Sequence, residues 1–197
     1  LREGMVGAQF WSVWIPGETP RASTMSLQQQ QIDVARRIIE THPDVFELAS
    51  TADDIERIFA QGKIASLLGM EGGYALNNSL VPLQMYFTRG VRYMTLTHNV
   101  STDWADAALG EQRHGGLTEF GEQVVREMNR LGMMVDIAHT SPATMHQVLD
   151  VSRAPLIWSH AAAKALVDHP RNVPDDVLER LDENGGIVMV TFIPSFL

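Results

Sequence analysis

Short, continuous apolar runs alternate along this chain with longer segments whose apolar residues recur at helical spacing. The runs fall at residues 7–15, 45–49, 63–70, 91–97, 133–138, 155–159 and 187–192. Each has the length of a strand and is bounded by Gly, Pro or a polar residue. Between them, Leu27, Val34, Ala35, Ile38 and Ile39 predict a helix over 26–40. Ile55, Ile58 and Phe59 predict another behind Thr51, with Asp53 and Asp54 in its acidic first turn. Leu80, Leu83 and Phe87 mark a third, opening at Ser79, and Phe120, Val124, Val125, Met128 and Leu131 form the cleanest stripe, over 118–131. Met145, Val148 and Leu149 follow Ser141-Pro142, a capping residue and a first-turn proline. Segments 161–167 and 174–183 read as two further short helices. Residues 99–116 break the pattern, being polar and aperiodic around Trp104-Ala105-Asp106. A connection of that length reads as a substrate loop, with a surface loop pinned by one tryptophan as the plain alternative.

Because the runs are apolar throughout rather than in alternation, they fit strands covered on both faces. No hairpin turn joins two of them, so strand and helix alternate and the sheet is expected to be parallel. Several runs end on a residue of unlike character: Glu71, His98, His139 and His160. An open doubly wound sheet would favour a glycine-rich phosphate turn, and no G-x-G-x-x-G or Walker pattern is present. In a (β/α)8 barrel the carboxyl ends of all strands meet at one mouth, which would gather these four residues. The expected fold is therefore α/β, a TIM-type (β/α)8 barrel that about six parallel strands leave incomplete. Residues 1–197 read as a single partial barrel domain, without internal repeat or linker.

Composition narrows the chemistry. A formal charge of −9 argues against a nucleic-acid surface or an anionic membrane as the main partner, since both require clustered Lys and Arg. With no cysteine in the chain, any metal must be held by imidazoles and carboxylates. Neither a signal peptide nor an apolar stretch long enough to span a bilayer is expected. One carboxylate and two imidazoles form a known catalytic zinc set, because three protein ligands leave a coordination position for water. Glu71, His139 and His160 supply that set, and His98 would be a further ligand or a donor to the substrate oxygen. The plain alternative is four unrelated strand-end residues capping neighbouring helices. His42, His114, His146 and His169 read as surface residues, and Arg171, on spacing alone, as an exposed charge flanking the helix that begins at Pro174.

Gly-Met-Glu-Gly-Gly (69–73), Gly-Val-Arg-Tyr-Met-Thr-Leu-Thr-His (90–98), Met-Val-Asp-Ile-Ala-His-Thr-Ser (134–141), Trp-Ser-His (158–160) and Arg-Asn-Val-Pro-Asp-Asp (171–176) resemble the renal or membrane dipeptidase family, as does Gly-Ala-Gln-Phe-Trp-Ser-Val-Trp (7–14). The resemblance covers nearly the whole chain. It implies a (β/α)8 barrel with two Zn2+ ions that hydrolyses dipeptides, often with a D-residue at the carboxyl end. It makes Glu71 the carboxylate bridging both metals and a catalytic residue, His139 and His160 ligands of one zinc, and His98 a catalytic and substrate-binding residue beside the scissile bond. Arg171 becomes the substrate-binding arginine for the terminal carboxylate, a task suited to its planar fork. A small dipeptide is the implied partner, and a homodimer the candidate assembly.

Two departures qualify the resemblance. The family's His-x-Asp pair, ligands of the other zinc, should precede the aromatic strand and has no counterpart before Gly7. Its late Gly-Gly-Asp-x-Asp-Gly segment is also absent. The chain thus reads as the middle of a dipeptidase, a fragment that by itself would be inactive. Other readings are a barrel metallohydrolase acting on N-acyl amino acids or lactones, and a non-catalytic metal-binding fragment.

Overall fold

In the computed structural model, which describes residues 1–197, strands and helices follow each other as β1 (Ala8–Trp14), α1 (Arg21–Thr41), β2 (Phe46–Leu48), α2 (Ala52–Ala60), β3 (Ile64–Glu71), α3 (Val81–Thr88), β4 (Val91–Thr95), α4 (Glu119–Leu131), β5 (Met134–Asp136), α5 (Pro142–Val151), β6 (Ile157–Ala161), α6 (Asp175–Asn184) and β7 (Ile187–Val190). Every strand pair is parallel, in the order β1-β3-β4-β5-β6-β7. One edge of β3 is taken by β1. The other is shared by β2, beside Ile64 to Ser66, and β4, beside Leu68 to Glu71. This central position explains why β3 reads as an unbroken apolar run: all its residues except Glu71 are buried.

The sheet curls. Phe10 from the first strand in the order and Met189 from the last line one concave cavity of about 630 Å³, together with Ser12, Leu67, Tyr93 and His160. Helices cover the convex face, where Ile32 and Ile39 of α1, Tyr86 of α3, Val124 and Met128 of α4, Val148 of α5 and Leu181 of α6 join one core with Leu68, Met94, Val135 and Trp158 of the strands. β1 and β7 have no partner on their outer edges, so the architecture is an open, incomplete barrel of the (β/α)8 type. No helix is long and apolar enough to cross a membrane.

Local chemistry explains most element ends. Thr51 and Asp54 form a reciprocal capping box on α2. Thr118 and Ser141 cap α4 and α5 by accepting from the backbone N–H of Gly121 and Thr144. Gly132 stops α4 in the left-handed region, at φ 77°.

Three expectations need correction. Residues 161–167 form no helix: Ala161 extends β6, Ala163 bridges Val173, and Leu166 is 85% exposed, so the segment has no apolar stripe to bury. α1 begins at Arg21, not residue 26, and buries Thr24, Gln28, Ile32, Ala35 and Ile39 while Leu27, Val34 and Ile38 stay exposed. Gln28 turns that face inward because its Nε2 donates to the Val13 carbonyl of β1 at 3.1 Å. A 3-10 turn at Gly73–Leu76 precedes α3, which opens at Val81 rather than Ser79.

Candidate metal centre

Glu71 is the last residue of β3, level with Trp14 of β1 and Thr95 of β4. The Ser12 hydroxyl donates to its Oε2 at 3.1 Å, leaving Oε1 turned towards the imidazoles. His139 follows β5 in a left-handed backbone conformation, φ 66°, which a non-glycine residue adopts at a cost of about 1–3 kcal/mol. The connection over 99–116 holds it there: the Ala108 N–H donates to the His139 carbonyl at 2.6 Å, and Asn99 Oδ1 lies 3.1 Å from Nδ1 of the ring. His160 sits within β6 where the pairing with β7 slips between Trp158 and Ala161, a disturbance that re-aims a side chain.

These three converge. Glu71 Oε1 lies 3.0 Å from His139 Nε2 and 3.5 Å from His160 Nε2, and the two Nε2 atoms are 2.9 Å apart. The three ligand atoms all lie within 4.8 Å of one another. Burial drives His139 down to about 3, against the opposing pull of its hydrogen bond with Glu71, and lowers His160 as well, so both rings are neutral near pH 7. Burial alone would raise Glu71, but its bond to His139 and the neighbouring imidazoles outweigh that and hold it at about 2. An ionised carboxylate and two neutral imidazoles that direct one oxygen and two ring nitrogens at one spot are the donor set that a divalent cation satisfies. The residues present fit a metal ion.

His98 stands on the rim. Its ring centroid lies 4.2 Å from that of His139 and 5.3 Å from that of Trp14, while its Nε2 is 3.9 Å from Glu71 Oε1. Tyr74 fixes the turn carrying it, accepting from the His98 N–H at 2.9 Å and donating to the Val100 carbonyl at 2.7 Å. Arg171 is only 4% exposed, contrary to the surface position expected from spacing. Its Nε and Nη2 are buried without a hydrogen-bond partner, and its guanidinium lies 5.4 Å from the Phe196 ring. Burial lowers its pKa to about 10, so it remains a cation near Glu71, His139 and His160.

A model of the family described as membrane dipeptidase, peptidase family M19, matches residues 1–197. The chain belongs to that family. It is 47% identical over 196 residues to dipeptidase 3 of Mus musculus, covering 97% of this chain and 39% of the mouse protein. An uncharacterized dipeptidase of Schizosaccharomyces pombe is 44% identical over 210 residues, covering 100% of this chain and 51% of its own. The crystal structure of the probable dipeptidase PvdM from Pseudomonas aeruginosa superposes with a TM-score of 0.93 at 26% identity, over 100% of this chain and 53% of that one. This M19 chain thus spans about half or less of the relatives it matches.

Of the residues singled out from the M19 sequence, the structure brings Glu71, His139 and His160 into contact and sets His98 beside them. Of the four histidines expected at the surface, only His42 is exposed. His114 is half-buried, with Nε2 3.2 Å from the Thr102 carbonyl. His146 pairs with Asp176 at 3.0 Å, and His169 stacks on Phe196 at 4.4 Å. The connection over 99–116 is ordered rather than loose: Trp104 and Asp106 are buried, and Asp106 accepts from the N–H groups of Arg113, His114 and Gly116. Sequence reasoning missed Asn99, Asp136 and Ser159. Asp136 carried a signal, being the one charge inside an otherwise apolar run; the other two carried none.

Proposed function

We propose that residues 1–197 form part of one barrel domain of a zinc-dependent dipeptidase and supply one metal-ligand set of its reaction site. The convergence of Glu71 Oε1, His139 Nε2 and His160 Nε2 carries this reading. Together they would hold a zinc ion. When bound, zinc supplies a water acidified towards neutral pH and a polarised carbonyl. The chain's own residues do the rest. His98, a neutral imidazole on the rim, donates a hydrogen bond to the carbonyl oxygen of the scissile bond. Arg171, buried and unpartnered, receives the free carboxylate of the dipeptide. An unpaired cation in so dry a place is costly, and a substrate carboxylate offsets that cost on binding.

Metal analysis of the complete gene product tests the ligand assignment. Zinc should be present, and Glu71→Ala, His139→Ala and His160→Ala should each lower its occupancy. Unchanged zinc content in all three variants rejects the site.

A further inference from the structure

Asp136 forms no hydrogen bond to Glu71, His98, His139, His160 or Arg171, yet it is completely buried and both its oxygens are fully engaged. Oδ1 accepts the backbone N–H groups of Ala138 at 3.0 Å and Ser159 at 2.9 Å. Oδ2 accepts the hydroxyls of Thr95 and Ser159, both at 2.6 Å. A carboxylate can only accept, so the single proton of the Ser159 hydroxyl lies on the bond to Asp136. The same Ser159 oxygen is 2.9 Å from His160 Nδ1, which it can then meet only as an acceptor. His160 Nδ1 must carry the ring hydrogen. Its Nε2, facing Glu71 Oε1 and His139 Nε2, is left with a bare lone pair.

We propose that Asp136 and Ser159 are positioning residues that lock His160 in its Nδ1–H tautomer and so keep Nε2 competent to bind a metal ion. The purpose of the bare nitrogen rests on the metal centre proposed above; the relay itself requires no metal.

The geometry prescribes an isosteric test. In Asp136→Asn the side-chain oxygen must stay where two backbone N–H groups point, so the amide nitrogen faces the two hydroxyls. Ser159 then receives a hydrogen from Asn, turns its own proton to His160 Nδ1, and forces the ring into the Nε2–H form. The experiment uses the complete gene product labelled with 15N-histidine and stripped by a chelator. Ring nitrogen shifts are recorded first, and zinc is titrated afterwards. Wild type should show Nδ1–H at His160. Asp136→Asn should show Nε2–H and bind zinc about 10–100-fold more weakly. Ser159→Ala should give a mixture of tautomers with weakened zinc binding, and Ser159→Thr, which keeps the hydroxyl, should restore both. Should Asp136→Asn fail to fold, the Ser159 pair decides. Retention of Nδ1–H in every variant, or loss of zinc affinity without a tautomer change, overturns the relay. A wild-type protein that shows the lock but takes up no zinc upholds the relay and removes the metal reading instead.

Discussion

At the scale of single residues, Arg171 makes the sharpest demand on the proposed reaction. Its guanidinium is buried with two nitrogens unpartnered, so a dipeptide carboxylate would complete it, whereas a carboxyl-amidated analogue would not. Arg171→Ala should therefore lower kcat/KM for free dipeptides by about 2–4 kcal/mol in activation free energy and leave amidated analogues far less affected. Arg171→Lys should rescue only in part, because an ammonium lacks the planar fork. Matched kcat/KM measurements on the two substrates decide the matter, and equal losses would assign Arg171 to structure alone. His139 illustrates a different point at this scale. Its strained backbone is sustained by contacts from a connection forty residues earlier in the chain, at Asn99, so the aim of its ring depends on that connection staying ordered.

At the scale of elements, α2 offers a clean electrostatic test. The Ser50 N–H, the Arg57 guanidinium and the Thr51 cap all bond the Asp54 carboxylate, which lowers its pKa to about 2. A carboxyl depressed on folding contributes stability that is fully present above its unfolded value, near ~4. That contribution is lost as pH falls through about 2. Asp54→Asn, which keeps an acceptor oxygen but no charge, should therefore melt below wild type at neutral pH. The gap should narrow below the unfolded pKa and close at the acid end. Thermal unfolding of the two proteins across pH would show it, and a gap independent of pH would mean the charge contributes nothing.

At the scale of the whole molecule, the open sheet governs what the site can do. β1 and β7 leave their outer edges unpaired, and the interior cavity lies between them rather than inside a closed wall. Val190, on the edge strand β7, and Phe192, just after it, are 62% and 88% exposed. Parallel strands are ordinarily covered on both faces and edges, and electrostatic chemistry weakens where water enters. Residues 1–197 produced by themselves should accordingly show little or no dipeptide turnover, whereas the complete gene product should turn dipeptides over if the proposed function holds. Assays at equal molar concentration, with zinc supplied to both, check this. Comparable rates would mean that these residues alone build a working site.

Read from residue patterns, the chain declared its alternating strands and helices, its parallel sheet, and the strand end at Glu71; His139 lies three residues beyond the end of β5 and His160 one residue short of the end of β6, so those two ends were legible only to within a few residues. Those features follow from local periodicity, because a strand buried on both faces must be largely apolar and polar residues gather where it leaves the sheet. Motif resemblance extended this to the family. Tertiary structure alone decided how the sheet curls, that Arg171 is buried, that 161–167 has no helix, and that Asn99 and the Asp136–Ser159 pair support the two histidines. These depend on partners far apart in sequence: Thr95 reaches Asp136 across 41 positions and Ser159 reaches it across 23. Periodicity reports whether a position is covered, and it carries no information on which distant side chain does the covering. For the same reason the sequence pattern of α1 points to the wrong stripe, since Gln28 looks polar in sequence and only the Val13 carbonyl makes its burial favourable.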